Sequence, residues 1–388
     1  MMKMDFMNEL LDGVEVEWKP LGEVTTIKTG QSVSKQLISN NPGEYPVINS
    51  GREPLGFINK WNTDNDPIGI TTRGAGVGSI TWADGKYYRG NLNYSVTINY
   101  QKIDVRYLYH LLLEMQEEIK ALCTFVGIPA LNAGNLKELQ IPIPSLEIQA
   151  EVVRILDTFT ELTAELTAEL TARKKQYTYY RDQLLTFEGD EVEWRALGDV
   201  TLPTSNIRWN DTNDNYNYID LTSVCREKNI VIETTEISAE NAPSRAKKIV
   251  VENDVIFATT RPTQQRLCLI TQEFSGEVAS TGYCILRAKE NEILPKWIFY
   301  FITSSKFNSY VEENQSGSAY PAISDSKVKA FVIPVPSLSE QARIVAILDK
   351  FDTLTSSITE GLPREIELRQ KQYEYYRNML LSFPKVEV

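Results

Sequence analysis

The chain has 388 residues, 42% hydrophobic and 24% charged, with a net charge of −12. It is long enough for two or three domains with cores, and its acidity argues against a simple basic nucleic-acid binder, though not against local cationic clusters in a larger complex. No apolar run approaches the roughly 18 residues of a membrane span, and Met1 to Asp12 lacks the order of a signal peptide, so a cytoplasmic protein with no membrane contact is expected.

Taken from the N-terminus, the pattern is globular, helix, globular, helix. The first globular stretch opens on Glu15-Val16-Glu17-Trp18 and holds short β-like runs at Gly69 to Thr72 and Ser95 to Asn99, then a helix signal near Val105 to Ala121. A long helix is predicted after Pro144. Ile148, Val152, Ile155, Phe159, Leu162 and Leu166 step by 4, 3, 4, 3, 4, a heptad seam that continues through Leu170, Tyr177, Tyr180, Leu184 and Phe187. Inside it, Thr160 to Ala172 is a four-residue repeat of Thr-Ala-Glu-Leu type, rich in strong helix formers.

The second half repeats the first. Glu191-Val192-Glu193-Trp194 returns after 191 − 15 = 176 residues, and Ile141-Pro142-Ile143-Pro144-Ser145-Leu146 returns as Ile333-Pro334-Val335-Pro336-Ser337-Leu338, a shift of 192. β-like runs recur at Val255 to Thr259 and Gly282 to Leu286, with a helix near Pro295 to Val311. Thr71-Thr72-Arg73 aligns with Thr259-Thr260-Arg261, and Pro129-Ala130-Leu131 with Pro321-Ala322-Ile323. The second long helix follows Pro336, carries a seam through Ile344, Ile347, Phe351, Leu354 and Ile358, and resumes at Tyr373, Tyr376, Leu380 and Phe383. Gly361-Leu362-Pro363 is expected to kink or break it. Asn59 to Asp66 and Arg208 to Tyr218 have no twin: a shared frame with divergent loops is what two modules reading different targets would show. The C-terminus runs into the same motif that opens the chain, so the repeat is circular and the chain ends are expected close together.

Each seam needs a partner. The cheapest is the other copy, giving an antiparallel coiled coil that acts as a ruler; two separate amphipathic helices are the plainer reading. The seam residues expected to pair helices and dock partners are Phe159, Leu162, Leu166, Leu170, Tyr177, Tyr180, Phe351, Leu354, Tyr373 and Tyr376.

Catalytic signals are sparse. His110 is the single histidine, lies in a predicted helix beside apolar residues, and reads as structural. Paired histidines for zinc and a GxxxxGK[ST] phosphate loop are missing. Gly74-Ala75-Gly76-Val77-Gly78 reads as a tight turn, and the four cysteines, with no CxxC pair, as reduced thiols. The Asn/Asp-Pro-Pro-aromatic motif of amino-methyltransferases and the Pro-Asp of nucleases are also missing. What remains is recognition. Candidate DNA-binding cations are Arg52, Lys60, Arg73, Lys86 and Arg89 in the first module, and Arg208, Arg245, Lys247, Lys248, Arg261 and Arg266 in the second. Tyr87-Tyr88-Arg89 and Asn91 to Asn93 mix groups that pair with bases and phosphates.

The twinned Ile-Pro-x-Pro-Ser segments, each followed by Gln149 or Gln341 and by Ile155-Leu156-Asp157 or Ile347-Leu348-Asp349, resemble the specificity subunit of type I restriction–modification systems. The Thr-Ala-Glu-Leu units resemble the subgroup that carries them in the spacer helix. The resemblance covers essentially the whole chain. It implies an α+β fold: two α/β target-recognition domains separated by two long antiparallel coiled-coil helices, a pseudo-two-fold tandem repeat. The expected boundaries are residues 1–14 for a segment completing the second helix region, 15–144 and 189–336 for the recognition domains, and 145–188 and 337–388 for the spacer helices. It further implies a non-catalytic chain that binds a bipartite double-stranded DNA site and docks two methyltransferase subunits and restriction/translocase subunits. No cofactor would be bound by this chain; S-adenosylmethionine, ATP and Mg would serve the partners. A coiled-coil scaffold without DNA readout is the alternative.

Overall fold

The computed structural model describes residues 16–51, 53–188, 192–357 and 360–383. The expectations for residues 1–14, and for the chain ends lying together, fall outside these. The chain divides into two compact units: one takes the chain up to Ala164 together with the stretch from Leu368, the other runs from Glu165 to Glu367. The division therefore falls inside the long helices.

In the first unit, β1 (Glu17–Pro20) pairs antiparallel with β8 (Gln140–Ile143), bringing Trp18 opposite Pro142. A four-stranded antiparallel sheet runs β2 (Thr25–Thr29), β5 (Asn93–Ile98), β3 (Ile68–Thr71), β4 (Ile80–Trp82). A second four-stranded sheet is built from Phe57–Ile58, Pro42–Ile48, Lys86–Arg89 and Thr63–Asp64. Helix α1 (Val105–Glu114) is capped by Asp104, whose carboxylate accepts from the amides of Arg106 and Tyr107. A hairpin of β6 (Cys123–Thr124) and β7 (Ala130–Leu131) follows. Then comes α2 (Leu146–Leu184), a single 39-residue helix of roughly 60 Å.

The second unit rebuilds this frame. β9 (Glu193–Ala196) pairs with β14 (Val332–Val335), with Trp194 opposite Pro334. A four-stranded antiparallel sheet runs β10 (Thr201–Leu202), β13 (Tyr283–Ala288), β11 (Val255–Ala258), β12 (Leu267–Leu269), the order of its twin. Its second sheet runs Thr235–Ile237, Tyr216–Ile219, Val278–Ser280, Ala246–Ile249, and both second sheets have a parallel pair at the centre. Helix α3 (Pro295–Ile302) answers α1. Both sequence-predicted helices are shorter than expected. The first turns at Met115; the second ends at Ile302, and the Ser304 hydroxyl caps a new helix by accepting from the amide of Phe307.

The second spacer is two helices, α4 (Leu338–Ser356) and α5 (Gly361–Leu381). The break falls at the predicted glycine. Gly361 has φ of +74°, and a β-carbon there would stand 2.5 Å from the Thr353 carbonyl oxygen. Pro363 sits in the first turn of α5, where its missing N–H has no cost.

The seams pair locally in each unit. In the first, Val152 and Leu156 of α2 share a core with Leu380 and Leu381 of α5, and Phe159 stacks on Tyr376 at 5.1 Å. In the second, Tyr177 and Tyr180 stack on Phe351 at 6.3 and 6.1 Å. Within each unit taken by itself, partner numbers fall as α2 numbers rise, the order of an antiparallel pair. Leu162, Leu166, Leu170, Leu354 and Tyr373 are half-buried; Tyr180 is 41% exposed.

Each module holds its long helix by the same joint. Gln149, fully buried, donates from Nε2 to the Lys102 and Pro144 carbonyls and accepts the Asp104 amide, all at 2.8 Å. Gln341 repeats this with Glu292, Pro336 and the Leu294 amide. About two turns further on, Asp157 accepts from His110 Nε2 (2.8 Å) and Arg106 Nε (2.8 Å), where Asp349 accepts from the Tyr300 hydroxyl (2.5 Å) and Lys296 (2.7 Å). Because a carboxylate only accepts, Nε2 carries the His110 proton, and Nδ1 accepts from the Tyr373 hydroxyl at 3.0 Å.

Burial holds the His110 pKa below its usual value, outweighing Asp157, which pulls it up. The folded chain then binds fewer protons here than the unfolded one, so stability is present above about pH 6.5 and falls as pH drops below it. The twin predicts a cure. His110→Tyr, copying Tyr300, is expected to keep the melting temperature near pH 8 and to flatten its decline between about pH 7 and pH 5; an unaltered slope in thermal scans would show that another group sets it.

Candidate nucleic-acid interface

The candidate cations separate by burial. In the first module Lys60, Arg73 and Lys86 are exposed. Lys86 lies 4.6 Å over the Trp61 ring and Lys60 lies 5.7 Å from Tyr88, so the divergent loop and the neighbouring strand present ammonium groups on an aromatic base. Trp61 is 45% exposed and was not among the sequence candidates, though its place beside Lys60 in the untwinned segment was the available signal. Arg52 lies outside the described residues.

Arg89 is different, and the expectation of a DNA contact there is corrected. It is 3% exposed. Its guanidinium donates to the carbonyls of Ile68 (3.1 Å), Tyr94 (3.0 Å) and Asp66 (2.6 Å), to Asn93 Oδ1 (2.6 Å) and to the Tyr87 hydroxyl. Burial lowers the Arg89 pKa and pushes Tyr87 up to about 12. Tyr87, Tyr88 and Asn93 are buried with it, so the motif that reads as polar and aromatic in sequence is the interior of the module. The reason is topological: the Lys86–Arg89 strand lies inside its sheet, with a neighbour on either side.

In the second module Arg208, Arg245, Lys247 and Arg261 are exposed. Lys248 is half-buried and committed to Asp325 (2.6 Å) and the Tyr283 carbonyl (2.5 Å). Arg266 is half-buried and donates to the Val224 carbonyl at 2.7 Å.

The Thr-Thr-Arg alignment is also corrected. The Leu131 amide donates to Thr72 and the Gly74 amide to Pro129; in the twin, Ile323 donates to Thr259 and Arg261 to Pro321. Thr72 and Thr259 likewise donate to Leu92 and Gly282. The structural shift is thus 259 − 72 = 187, which puts Arg73 level with Thr260 and Arg261 level with Gly74. Both residues at the latter position have positive φ, +94° for Gly74 and +49° for Arg261. An arginine in this left-handed conformation costs about 1 kcal/mol relative to glycine and marks a position retained against local strain. Its guanidinium lies 5.2 Å from the ring of Tyr320, which is 71% exposed.

The two modules thus share one frame and differ in loops that carry exposed cations. A profile of the family described as "Type I restriction modification DNA specificity domain" matches residues 13–173 and 190–368. The chain belongs to this family. It is 35% identical to the EcoR124I/EcoR124II type I restriction enzyme specificity subunit of Escherichia coli, covering 100% of this chain and 99% of that one. It is 31% identical to a putative type I restriction enzyme specificity subunit of Haemophilus influenzae, covering 97% and 98%. The crystal structure of a type I restriction–modification S subunit from M. genitalium shares the fold, with a TM-score of 0.58 at 18% identity over 97% of this chain and 98% of that one.

No described helix is long and apolar enough to cross a membrane. Among the described residues no group of three or more His, Cys, Asp or Glu is placed to hold a metal ion, and His110 is fully buried in the joint.

The burial contrast is testable. Arg89→Ala strands several buried carbonyls and is expected to destabilise the chain by about 2–4 kcal/mol, while Arg73→Ala stays within about 0.5 kcal/mol. Denaturant midpoints of the two variants measure this; equal midpoints would return Arg89 to the surface.

Proposed function

We propose that each module reads one half of a split double-stranded DNA sequence and that α2, with α4 and α5, fixes the gap between the halves. The observation that carries this is the pair of matching frames, each with its own cation-bearing loops, on one 39-residue helix. In this reading the chain performs no chemistry. It docks two methyltransferase subunits that use S-adenosylmethionine to methylate adenine, and restriction/translocase subunits that use ATP and Mg, and works in the cytoplasm. The net charge of −12 is then offset by partners that supply much of the phosphate contact. Exposed Arg73 and Arg261 are the leading base or phosphate contacts, with Lys60, Lys86, Arg208, Arg245 and Lys247 beside them.

The Thr-Ala-Glu-Leu units place the chain, in this proposal, in the subgroup whose spacer length is set by unit count. One unit adds about 6 Å of helix, one to two base pairs at about 3.4 Å each.

The adenine methylome of cells with and without this chain is the first measurement. Loss of one motif, two short half-sites split by a fixed gap, is the expected outcome. An unchanged methylome alongside stable partner complexes would favour a scaffold without DNA readout. A second experiment adds or removes one Thr-Ala-Glu-Leu unit: the gap is expected to change by one to two base pairs while both half-sites stay the same. New half-site sequences would end the ruler reading.

A further inference from the structure

The hairpin after α1 carries an exposed apolar tip that no feature of the fold explains. β6 and β7 are tied down at the base: Arg73 bridges Ala130, and the Leu131 and Gly74 amides lock the hairpin to the end of β3. Beyond that base, Phe125 is 64%, Val126 96% and Ile128 68% exposed. Gly127, at φ of +80° with no atom within 4 Å of a built β-carbon, turns the tip into open space. Three large apolar side chains held out on a fixed stem cost solvation energy and are not the ordinary scatter of single exposed residues.

The second unit has a counterpart at the equivalent place. Ser316 and Ala322 close a bridge, Gly317 turns at φ of +96°, and Tyr320 stands exposed under Arg261. Tyr320 lies at 128 + 192, the position of Ile128.

Charge selects the occupant. The chain averages about one acidic residue in seven, 52 in 388. Yet Pro67 to Ala83 and Ile119 to Lys137, the strand end and hairpin that meet in the first module, contain none, and neither do Val255 to Gln272 and Asn314 to Ser324 in the second. Acid-free segments with an exposed arginine beside an apolar tip suit a polyanion whose interior is apolar and stacked.

Resting on the DNA reading above, we infer that these two tips are wedges that press against the bases of double-stranded DNA. Phe125, Val126 and Ile128 act in the first half-site and Tyr320 in the second, each beside the arginine that holds the phosphates. Apolar side chains on such elements partly unstack a base step, and an aromatic contact to a base carries a measurable share of affinity.

The test uses the full chain in complex with its methyltransferase and a duplex bearing the motif found in the methylome, with 2-aminopurine placed at each half-site position in turn. Phe125→Ser/Val126→Ser is expected to assemble and melt as the original does, to bind the duplex about tenfold or more weakly, and to lose the fluorescence rise in one half-site only. Tyr320→Ser is expected to do the same in the other half. Unchanged affinity and fluorescence in these variants would overturn the wedge. So would loss of methyltransferase assembly in the double variant, which would make the tip a protein-docking surface. If the original complex bound no duplex, the failure would lie with the DNA reading itself.

Discussion

A buried glutamine at the start of each long helix governs the arrangement of its module. The side-chain amides of Gln149 and Gln341 each satisfy two carbonyls and one N–H where the loop before the short helix meets the entry of the long one. Buried backbone groups without partners cost about 1–3 kcal/mol each, so the joint has one low-energy geometry, and the direction in which a helix of some 60 Å leaves the module follows from it. A few degrees of play at the root would become several ångströms at the far end.

The contacts around the joint show how a repeat diverges without losing its frame. Tyr107 donates from its hydroxyl to the Pro142 carbonyl, and Trp297 from its indole to Pro334, both at 3.0 Å. His110 and Tyr300 both serve an aspartate of the long helix. Different side chains deliver the same bond because what is retained is a donor at a point in space. The helix that closes each module is the one from the opposite end of the repeat: Arg377 of α5 pairs with Glu114 in the first unit, and Asp182 of α2 accepts the Ser305 amide in the second.

The surface obeys another economy. Arginines divide between those that spend their terminal guanidinium donors inside, as Arg89 does, and those left at strand ends and turns, such as Arg73 and Arg261. Arg261 has a left-handed backbone in the place that glycine takes in the twin, at a cost of about 1 kcal/mol.

Much was legible in the chain by itself. The tandem repeat, the heptad seams and the break near Gly361 follow from periodicity and from the backbone chemistry of glycine and proline, which act over a few residues and survive any tertiary context. The family follows from motifs of the same local kind. Which cations face solvent was not legible. Arg89 and Arg73 look alike in sequence, and their fates part only when Lys86–Arg89 becomes an interior strand with neighbours on both sides. The one-residue offset of Thr-Thr-Arg was equally hidden, because identity of letters gave one alignment and the hydrogen bonds to Pro129 and Pro321 gave another. Nor did a run such as Phe125-Val126-Gly127-Ile128 announce itself as surface; apolar residues are buried by default, and only the fixed stem of the hairpin, holding them out from the core of its own unit, decides otherwise.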